Sequence, residues 1–356
     1  VNIQPPRFDF DERPMIVIWE MTRACELACR HCRAEAVRCA HPEELDTVQA
    51  EGLIDQIARA RPAVFVLTGG DPMHRRDLLH LVERASSRNL RVALSPSATP
   101  RFLDADLDAL RVAGIQRISL SIDGADRDSH DKFRGIRGTW EWTMEAIDKV
   151  RAAGIELQIN TTFTRQNLHA FDAFVELLDT IEPVLWSVFQ LVPTGRGKTA
   201  DLLTADEMED LFFLLWELST TAPYDIKTTE GQHYRRVVAQ QNARLGIRSK
   251  LPPVGVNDGK GFVFISHTGE VYPSGFLPIC AGNIKSNELL DIYRDSPVFR
   301  SLRKPDELKG KCGYCEFRKL CGGSRARTYA LTGDYMESEP LCSYQPKPRV
   351  AKPVLT

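Results

Sequence analysis

The chain reads as an α/β protein: a partial (β/α)6 parallel barrel followed by a smaller α+β C-terminal domain. Three observations carry that reading. Between residues 15 and 192, six short apolar runs alternate with helix-sized segments, the pattern of repeated βα units and a parallel sheet. Glycine and polar residues follow the ends of those runs, on the side where a barrel gathers its functional groups. From Gly255 the pattern changes to a β-hairpin, VNDGKGFVFISHTGEVYPSG, with its turn at His267 to Glu270.

The predicted strands are MIVIWE (15–20), AVFVLT (63–68), RVALS (91–95), RISLSI (117–122), ELQINTTF (156–163) and VLWSVFQLV (184–192). Between them, Val48, Leu53, Ile54, Ile57 and Ala58 recur at helical spacing in 47–60, as do Leu78, Leu79, Leu81 and Val82 in 75–88. Parallel strands need long right-handed crossovers, so an open or partly closed barrel follows. PTGRG (193–197) breaks the pattern, and Thr204 with Glu207 predicts a capping box at the start of a helix. That helix, EDLFFLLWEL, is apolar almost all round and is expected to be buried. KTTEGQHYRRVVAQQNARLG predicts a short extended piece and a helix to about Leu245. The resulting division is a barrel at 12–200, a helical linker at 201–254, a C-terminal domain at 255–346 and a mobile tail at 347–356.

With 356 residues, 43% of them hydrophobic, the chain can bury a large core. Its 46 basic and 48 acidic residues leave a net charge of -2, which gives no electrostatic case for nucleic acid or an anionic membrane. No apolar run approaches the roughly 20 residues that span a bilayer, and VNIQPPRFDFDERP carries no signal-type apolar region, so a cytoplasmic location is expected. Seven of the nine cysteines fall into two groups, which in a reducing compartment points to metal or cluster ligation rather than disulfides.

The first group is Cys25, Cys29 and Cys32 in CELACRHC, directly after the first strand. Three thiolates can hold three irons of a [4Fe-4S] cube and leave the fourth open to a ligand; a zinc loop is the bland alternative. Gly69, Gly70, Asp71 and Pro72 follow the second strand, where TGGDP offers either a backbone ligand site or an ordinary turn. Ser121 and Asp123 project from one face at the end of the fourth strand, and Arg134 lies in HDKFRG. Asn160 to Thr162 end the fifth. The second group is Cys312, Cys315, Cys321 and Cys342, spaced C-x2-C-x5-C-x20-C. Four thiolates saturate either an electron-transferring [4Fe-4S] cube or a structural zinc ion, and spacing does not choose. Cys280, among apolar neighbours, is expected to be a buried core thiol, and Cys39 incidental.

In order along the chain, C-x3-C-x2-C, GGDP, SLSIDG and FRG resemble the radical S-adenosylmethionine enzymes. The second cysteine group resembles the auxiliary-cluster region called SPASM, or its shortened twitch form. The resemblance implies two [4Fe-4S] clusters and S-adenosylmethionine as cofactors. Reductive cleavage at the open iron would then give a 5′-deoxyadenosyl radical that takes hydrogen from substrate. It further implies that Gly69 to Pro72 meet the methionine amino group, although Asp71 stands where the family has glutamate. Ser121 and Asp123 would meet ribose hydroxyls, Arg134 the methionine carboxylate, and Asn160 the same cofactor. His31 stands where the family has an aromatic residue and would pack on adenine. Ser274 lies near a position where full SPASM domains have cysteine, so one auxiliary cluster is expected rather than two.

Four segments, IVIWEMTRACELACRHCRAEA, KTTEGQHYRR, GFVFISHTGEVYPSGFLP and GKCGYCEFRKLCGGSRARTYALTGD, are similar to the haem-pathway branch of that family. This implies oxidative decarboxylation of tetrapyrrole propionates, with an external one-electron donor such as flavodoxin or ferredoxin. Arg23, Arg30, Arg33, Arg235 and Arg236 are conceivable partners of propionates, and His233, Tyr234 and Arg235 are the substrate candidates. Maturation of a ribosomal peptide is the alternative, disfavoured by the 14 or so residues before the first strand, too few for a leader-binding domain. A non-catalytic iron-sulfur electron carrier explains the cysteines but not GGDP, SLSIDG and the barrel.

Overall fold

The computed structural model describes residues 8–247 and 254–347; the expected mobile tail, beyond Lys347, lies outside them. The strands are β1 (Ile16–Glu20), β2 (Val64–Thr68), β3 (Val92–Leu94), β4 (Ile115–Ser121), β5 (Glu156–Phe163), β6 (Leu185–Gln190), β7 (Asp225–Thr229), β8 (Phe262–Ile265), β9 (Glu270–Tyr272) and β10 (Gly282–Asn283). They form one sheet in the order β10-β9-β8-β1-β2-β3-β4-β5-β6-β7. From β1 to β7 every neighbouring pair is parallel, with the crossovers made largely by helices. The order is linear, so the barrel stays open.

All six predicted strands are present, and the sheet goes further at both edges. The stretch 201–254, expected as a linker, supplies the helix Ala205–Leu218, strand β7 and the helix His233–Arg244. At the other edge β8 pairs parallel to β1, with Ile16 opposite Phe262 and Trp19 opposite Ile265. The expected separate hairpin therefore continues the main sheet through its first strand, and β9 and β10 add antiparallel to it. Backbone chemistry explains this: a β1 flanked only by β2 would leave a buried row of unpaired N–H and C=O groups, and β8 satisfies it.

The helices cover the outer face. Asp46 and Gln49 close a capping box on Thr47–Ala60, which buries Ala50, Leu53, Ile54, Ile57 and Ala60. Val48, expected on that stripe, is exposed, as is Leu79 in the next helix, because each helix buries only the face toward the sheet. The capping box of Thr204 and Glu207 forms as predicted. The helix it begins is not buried all round: Met208, Leu211, Phe212 and Leu215 face the core, while Phe213 and Leu214 lie on the solvent side. Trp19, Trp186, Phe65, Phe102, Phe163 and Phe174 fill the interior. Trp186 packs edge-on against Phe163 and donates its indole N–H to Thr161 Oγ1 at 2.9 Å. Among the described residues no helix is long and apolar enough to cross a membrane.

Ile265, fully buried on β8, tests whether the C-terminal hairpin folds with the barrel. Ile265→Ala is expected to cost about 2–5 kcal/mol. Urea unfolding of the metal-free protein should show a single transition moved to lower urea. A second transition that alone responds would place the hairpin in an independent unit.

Candidate active site and auxiliary cluster site

Because β1 to β7 run parallel, their C-terminal ends share one side, and the cysteine loop after β1 lies across it. The loop is held by backbone contacts with three other βα connections. Gly70 N–H donates to Thr22 O, and Asp71 N–H to Ala24 O, both at 2.7 Å. Ala28 and Arg30 donate their N–H groups to the carbonyls of Arg134 and Phe133 at 3.2 and 3.1 Å, which satisfies the open end of the helix Arg127–Arg134. Arg196 N–H donates to Cys32 O at 3.0 Å.

Glycine is required at these contacts because the backbones touch. A Cβ on Gly69 would stand 2.5 Å from Thr22 O, and one on Gly70 2.5 Å from Ala24 O. On Gly135 it would meet Ala28 O at 2.6 Å, and on Gly195 both Cys32 O and Arg33 O at 2.5 Å. The two glycines of GGDP thus serve first to seat the cysteine loop against β2.

Cys25, Cys29 and Cys32 line a cavity of about 160 Å³ that opens to solvent, together with His31, Thr68, Gly69, Gly70, Ser95 to Ala98, Ser121, His130, Arg134 and Arg196, among others. Each sulfur already has a donor. Leu27 N–H reaches Cys25 Sγ at 3.4 Å, Ala36 N–H reaches Cys32 Sγ at 3.5 Å, and Arg134 Nη1 reaches Cys29 Sγ at 3.6 Å. Burial pushes the Cys25 thiol up to about 11 and raises Cys29, so both are protonated in the metal-free chain. Donors aimed at sulfur, beside a guanidinium, suit a thiolate-bound iron-sulfur cluster. Among the described residues no three His, Cys, Asp or Glu side chains are drawn together around a single-ion position. The three thiols border a volume instead.

The structure divides the remaining sequence candidates. His31 lines the cavity, packs on Phe133 with ring centroids 4.7 Å apart, and leaves a buried Nδ1 unpartnered; burial holds it down to about 4, hence neutral. Ser121 also lines the cavity. Asp123 and Arg134, expected to contact different parts of a ligand, face each other at 2.8 Å. Burial works to raise the Asp123 carboxyl, but Arg134 and then His31 hold it below its usual range. Asp123 Oδ1 also accepts from Thr162 N–H at 2.7 Å, and its own N–H donates to His130 Nδ1 at 3.3 Å. It is therefore a buried counter-charge, outside the cavity wall.

Asp71 turns away as well. Its carboxylate accepts from Met73 N–H, Ser97 N–H and Thr99 Oγ1 at 3.1, 3.3 and 3.2 Å, and burial pushes it up to about 6. Pro72 starts a buried turn and is not in the wall. Asn160 shares a register row with Ser121, Ser187 and Lys227 across β4 to β7, and its Oδ1 accepts from Gln158 Nε2 at 2.7 Å. It stands beside the cavity without lining it.

Of His233, Tyr234 and Arg235, only His233 lies in the wall of the second cysteine group, and none lines the barrel-mouth cavity. Cys312, Cys315, Cys321 and Cys342 surround a small cavity shared with His233, Arg236, Lys311 and Glu339. His233 is buried with both ring nitrogens unpartnered, 3.9 Å from Glu339, and burial lowers it to about 3. Tyr234 OH donates to Leu215 O, and Arg235 Nη1 donates to Val256 O. Glu339 N–H and Gly323 N–H donate to Cys312 Sγ and Cys321 Sγ at 3.4 Å each. Behind this cavity Arg327 bonds Glu339 at 3.0 Å and Glu230 O at 2.8 Å, with Ser324 donating to Glu230 Oε2. TTEGQHYRR thus builds one wall of the auxiliary site. Cys280, expected in the core, is exposed, because the segment turns its apolar Leu277 inward instead.

Ser97 and Arg196 were not singled out as ligand contacts in the sequence. Ser97 Oγ lies 3.5 Å from Cys25 Sγ and donates to Gly70 O at 3.2 Å. Its place at the end of the third strand was the available signal. For Arg196, inside PTGRG, only the position after the sixth strand pointed to it.

An open parallel α/β barrel with a three-cysteine loop at its mouth, joined to a four-cysteine module, defines a class of iron-sulfur enzymes. The pattern described as the radical SAM superfamily matches residues 19–178, and one described as an iron-sulfur cluster-binding domain, SPASM, matches 257–316. The chain is 41% identical to the AdoMet-dependent heme synthase of Nitratidesulfovibrio vulgaris, over 93% of both chains. It is 39% identical to that of Methanosarcina barkeri, over 94% of this chain and 97% of the other. Streptococcus suis SuiB bound to S-adenosylmethionine has the same fold, with a TM-score of 0.70, 15% identity and coverage of 94% and 78%. The chain belongs to the radical SAM superfamily, in its SPASM-bearing branch. It is an enzyme whose cofactors are [4Fe-4S] clusters and S-adenosylmethionine.

Gly70→Ala should displace the cysteine loop at a cost of about 1–3 kcal/mol and lower the iron recovered on anaerobic reconstitution. Gly52→Ala, at an exposed position of the helix Thr47–Ala60 with nothing within 4 Å, is the control and should be neutral or stabilising. Equal iron contents would show that the close contact at Gly70 does not matter.

Proposed function

We propose that this enzyme oxidatively decarboxylates propionate side chains of an iron-coproporphyrin in haem biosynthesis. The observation that carries this is the 39–41% identity, over more than nine-tenths of the chain, to three AdoMet-dependent heme synthases. Identity to the PqqA peptide cyclase of Rhizobium meliloti is 28%. Peptide maturation is accordingly the less favoured reading.

In this reading Cys25, Cys29 and Cys32 hold one cluster with an open iron for S-adenosylmethionine, and Cys312, Cys315, Cys321 and Cys342 hold a second. When bound, these groups supply one-electron cleavage of S-adenosylmethionine, hydrogen abstraction from substrate and an acceptor for the electron released with carbon dioxide. The chain's own residues fit both sites. Arg134, neutralised on one side by Asp123, places its other nitrogen against Cys29 and offsets thiolate charge. Leu27 and Ala36 amides orient the other two sulfurs. Neutral His31 and the flat Gly69-Gly70 backbone shape the wall facing a bound cofactor.

At the second site His233, with unpartnered ring nitrogens, can donate toward a cluster, while Arg236 and Lys311 balance four thiolates. The modules assigned on this reading are a cofactor-cleaving barrel over 12–200, a stretch 201–254 that builds β7 and the His233 wall, and an auxiliary-cluster region over 255–346. A flavodoxin- or ferredoxin-like protein would supply the electron.

Anaerobic reconstitution should give about eight irons per chain, and replacing Cys25, Cys29 and Cys32 together by alanine should halve that and abolish 5′-deoxyadenosine formation. About four irons with one zinc would remove the second cluster. Iron-coproporphyrin with reductant should lose carbon dioxide from its propionates. Active cofactor cleavage with no decarboxylated porphyrin would reject the proposed substrate.

A further inference from the structure

We infer that Arg196 is a carboxylate-binding residue of the barrel-mouth cavity. The inference rests on the reading that this cavity holds S-adenosylmethionine and its substrate. The arginines at the barrel mouth are otherwise committed. Arg134 faces Asp123 at 2.8 Å, and Arg33 pairs with Glu20 at 2.8 Å while lying over the Phe264 ring. Arg23 donates to Glu35 O at 3.0 Å, Arg30 to Gln166 Oε1 at 3.2 Å, and Arg101 lies 3.7 Å from Glu26.

Arg23 Nε and Arg134 Nη2 also lack a hydrogen-bond partner, but each belongs to a guanidinium held by another hydrogen bond or an ion pair, whereas among the described residues the Arg196 side chain has neither. It lines the cavity beside the three cysteines, and its Nε and Nη2 are buried with no hydrogen-bond partner. A buried guanidinium nitrogen without an acceptor is costly, so native structures rarely leave one unless a ligand completes it.

Its backbone is fixed as well. Arg196 N–H bonds Cys32 O at 3.0 Å, and Gly195 lies flat on the carbonyls of Cys32 and Arg33 with φ +57°. The side chain is therefore presented from a segment anchored to the cysteine loop, which limits the entropy lost when it binds.

A guanidinium with free Nε and Nη2 offers the two parallel donors that match a carboxylate. Two occupants of the cavity would carry one: the methionine end of S-adenosylmethionine, and a propionate of the porphyrin. Because Arg134 already spends its fork on Asp123 and Cys29, a carboxylate entering the cavity finds in Arg196 a cation with its charge still unmet.

The test compares wild-type, Arg196→Lys and Arg196→Gln proteins, each reconstituted anaerobically and matched for iron content and melting temperature. Equilibrium dialysis measures binding of S-adenosylmethionine and of its decarboxylated analogue. Absorbance titration measures binding of iron-coproporphyrin and of its tetramethyl ester. Arg196→Gln should weaken a carboxylate-bearing ligand by about 10- to 100-fold and leave its carboxylate-free counterpart unchanged, with Arg196→Lys in between. Loss confined to the S-adenosylmethionine pair assigns Arg196 to the cofactor, and loss confined to the porphyrin pair assigns it to the substrate.

Unchanged binding of all four ligands overturns the inference. So does equal weakening of each carboxylate and its analogue, which would make Arg196 structural. Wild-type protein that binds neither ligand would bring down the functional reading and this inference together, a result distinct from a binding wild type with an equally binding variant.

Discussion

Close backbone packing around residues 22–33 is the constraint on which the rest of this structure depends. The cysteine loop has no regular secondary structure, so its peptide groups need partners from elsewhere. They come from the connections after β2, after β4 and after β6, and at each a glycine removes the Cβ that would otherwise collide with a loop carbonyl. Three sulfurs can then share one cavity without any contact between distant side chains having to hold them. The familiar pieces of a cofactor site, GGDP and FRG, are in the first place parts of this cradle.

Charge is arranged around that cradle in pairs. Asp123, buried to 1% exposure, neutralises Arg134, and Arg134 in turn faces a thiolate position. Glu20, also buried, is held ionised between Arg33 and His267 and ties the end of β1 to the β8–β9 turn. Buried ion pairs of this sort add little net stability but are strongly destabilising when one partner is lost, so they specify geometry more than they contribute free energy. Glu339 and Arg327 repeat the device behind the four-cysteine cavity. Glu20 with His267 thereby ties the barrel to the C-terminal hairpin.

The six barrel strands, the capping box at Thr204 and both cysteine groups were legible because each depends on residues close in sequence. Partners that lie far away along the chain were not legible. The sequence offered Asp123 and Arg134 as cofactor contacts and did not show that they pair with each other, with Arg134 in the cavity wall. It offered His233 to Arg235 as substrate candidates and did not show that His233 stands in the wall of the second cysteine group. Cys280 looked buried because its neighbours are apolar, and the local turn put Leu277 inside instead.

By itself the sequence determined the chemistry available: three thiols at one spacing and four at another, alternating strands and helices, glycines where a chain must pass closely. Those are properties of residue type and short-range order, which propensity and covalent spacing express directly. Tertiary structure alone decided that β8 completes β1, that TTEGQHYRR brings His233 and Arg236 to the auxiliary site, and that Arg196 lines the cavity with both Nε and Nη2 unpartnered. Each of those outcomes depends on which buried polar group finds a partner, and partners distant along the chain are chosen only when the whole sheet has closed around them.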